Sequence, residues 1–283
     1  MDIHIPDYNE KKEKFKLEII QSMKNELPHN HFTESGKIKN LLCFIHIPKT
    51  SGTSLESRQV IKCWHMFNAP NIYRLPPCKG GFPFCDGGEA EYWPLYNDTF
   101  KKYKDHYKIS IIRNPFDLLC SYYFHNHKVS DVPEHFRSGW AAVNNIHNFS
   151  SFKEFIVSYC NLDFEWHVPS LKNFLFSQLF DKHGQCVSDI ILKYEYIDTA
   201  KEILEEVLKN PFSKKYENKS SNKIKNYKEY YDDEMIKLVE KKCSRELKYF
   251  NYNFDGSTEY EPIIINYKKI NYNLYTDKIE EIK

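Results

Sequence analysis

Several absences bound what this 283-residue chain can be. No run of apolar residues approaches the roughly 20 needed to cross a bilayer, and the eight cysteines include no C-x-x-C pair, which removes the commonest thiol-redox and zinc spacings. Glycine is scarce at 9 residues and proline adds only 13, too few for a fibrous or low-complexity protein. Neither sign of charge dominates. Lys and Arg number 40 against 39 Asp and Glu, a formal charge of +1, so no nucleic-acid partner is expected and any basic site must be a local pocket. Internal repeats and low-complexity linkers are also missing, and a chain of this length has ample material for one sizeable core.

What is present begins with a polar stretch, residues 1–40, whose one apolar cluster lies near Phe15 to Ile20. Without the apolar core of an export signal, it predicts a polar N-terminal extension on a cytoplasmic protein with reduced thiols, and no membrane partner. On that expectation the sequons at Asn97, Asn148 and Asn218 carry no glycan.

The most informative segment is Phe44-Ile45-His46-Ile47-Pro48-Lys49-Thr50-Ser51-Gly52-Thr53-Ser54. The apolar run from Leu41 to Ile47 is short and stopped by Pro48, which fits a buried parallel strand. Thr53 or Ser54 can then cap a helix running to about Ile61, leaving unpaired N–H groups at its start. Those donors, the positive helix end and the charge of Lys49 together suit an anion such as a phosphate. A nucleotide triphosphatase loop would read G-x-x-x-x-G-K followed by Ser or Thr. Here Lys49 precedes Gly52, and no acidic strand end follows to complete a magnesium site, so a metal-free anion is expected and a P-loop kinase is disfavoured.

Further along, Lys62 to Phe67 fits a second short strand, and about 68–94 is a long loop holding most of the Pro and Gly. Loops of that length commonly form lids or substrate-binding insertions. A helix is expected at Asp98 to Tyr107, a buried strand at Tyr107 to Ile112, and a helix from Pro115 to about Asn126, proline suiting its first turn. Helices at Ser151 to Tyr159 and Ser170 to Phe180, a strand at Asp189 to Tyr194, a helix capped by Asp198 running to Lys209, and one long helix from Tyr230 to Phe250 complete the pattern. The fold class is α/β with a central parallel sheet, as one domain over 41–255 followed by a weak, extended tail at 256–283.

Two segments together carry a resemblance. Ile45-His46-Ile47-Pro48-Lys49-Thr50-Ser51-Gly52-Thr53-Ser54 and Ile112-Arg113-Asn114-Pro115-Phe116-Asp117-Leu118-Leu119-Cys120-Ser121-Tyr122-Tyr123 resemble the two cofactor motifs of sulfotransferases that use 3′-phosphoadenosine 5′-phosphosulfate (PAPS), in the carbohydrate branch that includes the heparan sulfate 2-O-sulfotransferases. The resemblance implies a P-loop-like three-layer fold, with helices flanking the sheet. It implies that Lys49, Thr50, Ser51, Gly52, Thr53 and Ser54 hold the 5′-phosphosulfate and that Arg113 and Ser121 hold the 3′-phosphate. Asn218, Lys219 and Ser220 would close over the nucleotide, leaving adenosine 3′,5′-bisphosphate as product and requiring no metal. Two positions depart from the family pattern: Ser51 stands where relatives usually have glycine, and Leu118 where many have a second arginine.

Sulfuryl transfer to an alcohol needs charge neutralised on the leaving phosphate and a proton removed from the attacking hydroxyl. Lys49 suits the first task. The resemblance implies His65 as the base, since relatives of this branch often carry a histidine on the segment after the first helix, with Glu89, Glu91, His106 and His125 as rivals; histidine titrates near neutrality and suits proton acceptance. Trp64, Tyr92 and Trp93 are candidates to stack on a sugar or aromatic acceptor. Cys63, His65, Cys78 and Cys85 fit no common zinc spacing. The expected acceptor is a hydroxyl on a carbohydrate or glycoconjugate. The alternatives are a small-molecule or natural-product sulfotransferase, or a nucleotide-binding protein without catalysis.

Overall fold

The computed structural model describes residues 8–26, 42–45, 47, 50, 61–64, 107–129, 149–161, 175–176, 179, 186, 188–208, 226–265, 270–273 and 278–281. Among these the chain is mixed helix and sheet. Helix α1 (Tyr8–Glu26) is followed by strands β1 (Leu42–Ile45), β2 (Ile61–Trp64) and β3 (Tyr107–Ile112). Next come helices α2 (Pro115–Val129) and α3 (Phe152–Asn161), strand β4 (Ile190–Lys193), a 3-10 turn (Tyr194–Tyr196) and helix α4 (Ile197–Leu208). A second 3-10 turn (Tyr227–Tyr230) leads to α5 (Asp233–Lys242) and α6 (Ser244–Tyr249). Short strands close the sequence: β5 (Tyr252–Asn253), β6 (Gly256–Ser257), β7 (Ile263–Ile265), β8 (Ile270–Asn273) and β9 (Lys278–Glu281).

The main sheet has the order β2-β1-β3-β4-β7. Its first four strands are parallel, with Leu42 level with Ile61 and with Tyr107, and Ile109 level with Ile190. β7 joins antiparallel, Ile190 facing Ile265, so the sheet is mixed and not wholly parallel. The reason lies in the connection: β7 comes after a pair of helices and the β5–β6 hairpin, not after a single crossover helix of the kind that returns a strand parallel.

Alternation along the strands divides the core in two. Tyr107, Ile109, Ile111, Ile190, Leu192 and Ile263 face Ile19 and Met23 of α1 and Ile197, Ala200, Ile203 and Leu204 of α4. Ile112, Ile191 and Ile264 face the other way, toward α2, α3, α5 and α6. Both faces of β3 are therefore covered, and all of its residues but Lys108 are buried.

The segment expected as a polar extension thus contains α1, docked on the sheet by Ile19 and Met23 and by the Tyr107 hydroxyl, which donates to Ser22 Oγ at 2.7 Å. Its lysines turn to α4: Lys12 pairs with Glu202 and Glu206, and Lys16 with Glu206 at 2.7 Å.

Several boundaries differ from the sequence expectation. α4 begins at Ile197, directly out of the preceding 3-10 turn, so Asp198 lies in its first turn and does not cap it. The expected single helix from Tyr230 to Phe250 is broken. Asp232 caps α5 by accepting from Met235 N at 2.9 Å, and Cys243 leaves helical geometry (φ −101, ψ 23) before α6 starts. That break turns Glu246, Tyr249 and Phe250 into the core. Across the boundary to the region expected as a loose tail, the β5–β6 turn is built by Asn253, whose Oδ1 accepts from Asp255 N and Gly256 N, and by Gly256 at φ +139, a conformation that excludes ordinary side chains. The helix expected at 55–61, the loop at about 68–94 and the helix expected at 98–107 fall outside the described residues, apart from Ile61 and Tyr107, which open β2 and β3.

Candidate functional site

Parallel pairing brings the C-terminal ends of β1, β3 and β4 to one edge of the sheet, side by side. Ile45 of β1 is level with Ser110 of β3, and Ile112 of β3 with Lys193 of β4. Segments leaving these strands share the end where open α/β sheets bind ligands.

From β1 the chain enters the first motif. Ile47 and Thr50 are wholly buried, and the Thr50 hydroxyl donates to the Ile47 carbonyl at 2.7 Å. Lys49, Ser51, Gly52, Thr53, Ser54, His65, Asn218, Lys219 and Ser220 lie outside the described residues, as do Glu89, Glu91, His106, Cys78, Cys85, Tyr92 and Trp93. The side chains of Cys63, Trp64 and His125 do as well. Of the described cysteines, Cys120, Cys186 and Cys243 are buried and Cys160 is half-buried.

Arg113 is the first residue beyond β3 and only 7% exposed. Its Nε donates to Asp117 Oδ2 at 2.6 Å, and Nη2 stands 2.6 Å from the same oxygen. The guanidinium carbon lies 4.1 Å from the centre of the Tyr194 ring, the first residue beyond β4. One edge of the guanidinium is thereby fixed by a carboxylate and its plane by an aromatic face. Burial works against the charge of Arg113, but Asp117, reinforced by Tyr194 and Glu195, outweighs it and holds the group more firmly protonated.

The next residue locks this arrangement to the fold. Asn114 caps α2, its Oδ1 accepting from Phe116 N at 3.0 Å, while its Nδ2 donates to the Asn253 carbonyl at 2.8 Å. The Asn114 N–H donates to Glu195 Oε1 at 2.6 Å, and Glu195 Oε2 accepts from the Tyr252 hydroxyl at 2.8 Å. Loss of water around the Glu195 carboxyl pushes its pKa above the ordinary value, against the pull of the Asn114 N–H and of Arg113.

Ser121, 2% exposed, follows Asp117 by one helical turn, so Arg113, Asp117 and Ser121 recur at intervals of four residues along one strand–helix unit. Leu118 is wholly buried in the core with Phe116 and Ile191. At that position the packing calls for an apolar side chain.

Lys193, at the end of β4, is a second buried cation but a sealed one. It is wholly inaccessible, with Nζ donating to Ser257 Oγ at 3.1 Å, 3.3 Å from Glu261 Oε2, and 5.2 Å from the centre of the Tyr252 ring. Burial lowers its pKa, with Glu261 opposing. Lys193 therefore props the β5–β6 hairpin.

Sequence reasoning named Arg113 and Ser121 but missed Asp117, Tyr194, Glu195 and Tyr252. The Asp117 signal was present as a four-residue spacing from Arg113. Tyr194 and Glu195 become neighbours of Arg113 and Asn114, and Tyr252 a neighbour of Glu195, only through the strand order and the returning hairpin.

The described geometry suits anion recognition: a firmly charged, oriented guanidinium at the end of β3, the strand next to β1. No helix among the described residues is long and apolar enough to cross a membrane. Set against known proteins, the chain matches no family model, no curated protein and no solved structure.

Proposed function

We propose that the chain is a cytoplasmic, PAPS-dependent sulfotransferase with a P-loop-like three-layer fold, acting on a hydroxyl of a carbohydrate or glycoconjugate. The observation that carries this reading is the buried, oriented Arg113 at the end of β3, next to the strand that feeds the Lys49 loop. A fixed guanidinium fits the 3′-phosphate, since a planar fork matches phosphate oxygens and is less mobile than an ammonium. Ser121 adds a hydroxyl from the same unit. Lys49 and the residues through Ser54 are assigned to the 5′-phosphosulfate by their sequence pattern, as are Asn218 to Ser220 to the closing loop.

In the reaction the acceptor oxygen attacks sulfur, the bond from sulfur to the bridging phosphate oxygen breaks, and the electron pair stays on the departing adenosine 3′,5′-bisphosphate. The acceptor proton passes to His65. Lys49 neutralises the leaving phosphate. Positioning and electrostatics supply most of the acceleration in such loose transfers, and a base of this kind contributes about 10² to 10⁴ in rate.

The test is transfer of labelled sulfate from PAPS to a panel of saccharides, phenols and other small alcohols, with Lys49→Ala and His65→Ala alongside. Label on saccharides, lost with Lys49→Ala and reduced about 10²-fold or more with His65→Ala, supports the reading. Label on small alcohols alone moves the acceptor to the small-molecule class. Binding of the bisphosphate without any transfer identifies a nucleotide-binding protein without catalysis.

A further inference from the structure

We propose that Asp117 is a positioning residue that holds Arg113 in the orientation needed to receive the 3′-phosphate of an adenosine nucleotide, a role that rests on the nucleotide reading of the site. A carboxylate beside an anion site is at first sight misplaced, because it repels the ligand. The geometry resolves this. Arg113 presents two donors, Nε and Nη2, to a single oxygen of Asp117, each at 2.6 Å, so that edge of the fork is fixed. Tyr194 lies against the guanidinium face at 4.1 Å and sets its plane.

Asp117 is itself anchored. It sits in the first turn of α2, where the helix favours negative charge, and that turn is capped by Asn114. Asp117 is also nearly buried, with its side chain 11% exposed against 8% for Arg113. An arginine side chain left loose at this depth would sample many rotamers and bury an uncompensated charge, which is strongly destabilising. Asp117 removes both problems before any ligand arrives. On binding, the phosphate meets a guanidinium that has already lost its freedom.

This account and a purely Coulombic one predict opposite signs. If Asp117 only repels the ligand, removing its charge tightens phosphate binding. If it positions Arg113, removing its charge weakens binding, and only at the 3′-phosphate. The experiment is calorimetry on the full chain with adenosine 3′,5′-bisphosphate and with adenosine 5′-monophosphate, which lacks the 3′-phosphate. The ratio of the two affinities isolates the contribution of Arg113.

Asp117→Asn, confirmed folded by its thermal transition, is expected to lower that ratio about tenfold while leaving the monophosphate affinity unchanged. A ratio that is unchanged or higher overturns the proposal. Should Asp117→Asn fail to fold, Arg113→Lys decides, since lysine keeps the charge but lacks the planar fork that Asp117 orients. A similar loss of ratio supports the proposal, and a ratio within about threefold of the natural protein's overturns it. A natural protein that does not discriminate between the two nucleotides overturns the nucleotide reading itself, an outcome distinct from discrimination that survives in Asp117→Asn.

Discussion

Ile45 and Ser110 are partners across β1 and β3, and the chain leaves both strands in the same direction. Three residues beyond Ser110 lies Arg113, and four beyond Ile45 lies Lys49. The two segments that resemble cofactor motifs, about sixty residues apart in sequence, therefore leave adjacent strands at one end of the sheet. That adjacency follows from parallel pairing and strand order, which the two motifs do not encode by themselves.

Asn114 ties this end of the sheet together through three contacts, and its removal has a measurable cost. Asn114→Ala loses the cap on Phe116 N and the bond to the Asn253 carbonyl. The expected destabilisation is about 2 kcal/mol. Urea unfolding with an unchanged denaturant slope measures it; a variant within about 0.5 kcal/mol of the natural protein contradicts the role given to this residue.

Helix α1 is part of the core, and truncating its buried side chains tests that. Ile19 and Met23 are 0% and 1% exposed against the β3 and α4 face. Ile19→Ala or Met23→Ala is expected to cost about 2 to 5 kcal/mol. Leu17, 66% exposed on the same helix, is the control: Leu17→Ala is expected to change stability by less than about 0.5 kcal/mol. Equal effects at all three positions would mean that α1 does not dock through Ile19 and Met23.

Glu246 predicts a pH dependence with a definite sign. The residue is wholly buried; Oε1 accepts the N–H of Leu175, and Oε2 has no hydrogen-bond partner among the described residues. Burial pushes its carboxyl up to about 7, against the pull of the Leu175 N–H. The folded protein therefore keeps a proton that the unfolded chain releases from the ordinary value of 4.5 upward, so stability falls as pH rises between 4.5 and about 7. The cost is fully present above that window, on the order of 3 kcal/mol. Glu246→Gln keeps an acceptor for Leu175 and cannot ionise. Thermal unfolding from about pH 5 to about pH 8 should show the variant matching the natural protein at the acid end and exceeding it at the alkaline end. Parallel curves would rule out Glu246 as the source.

The parts of the fold legible in the sequence were those set by local chemistry. β3 matches its expected bounds, Tyr107 to Ile112, because an isoleucine-rich stretch stops at Arg113-Asn114-Pro115, and the same punctuation starts α2. What was not legible depends on distant partners. The helical spacing of Phe15, Ile19 and Met23 was in the sequence, but lysines crowd around it and the face that buries it comes from β3 and α4. The antiparallel entry of β7 depends on the path of the preceding hairpin. Apolar spacing over 230–250 suggested one helix because it runs through Cys243, where the buried thiol and the backbone turn end α5. Arg113 was singled out by its motif, whereas its stacking on Tyr194 requires that β3 and β4 be neighbours.

The central claim is that Lys49 and Arg113 grip opposite ends of one adenosine nucleotide, and equilibrium binding of adenosine 3′,5′-bisphosphate tests it most directly. The account predicts one nucleotide per chain, with Lys49→Ala and Arg113→Ala each weakening binding by about tenfold or more. No binding to the natural chain at millimolar nucleotide, or full affinity in both variants, would contradict it.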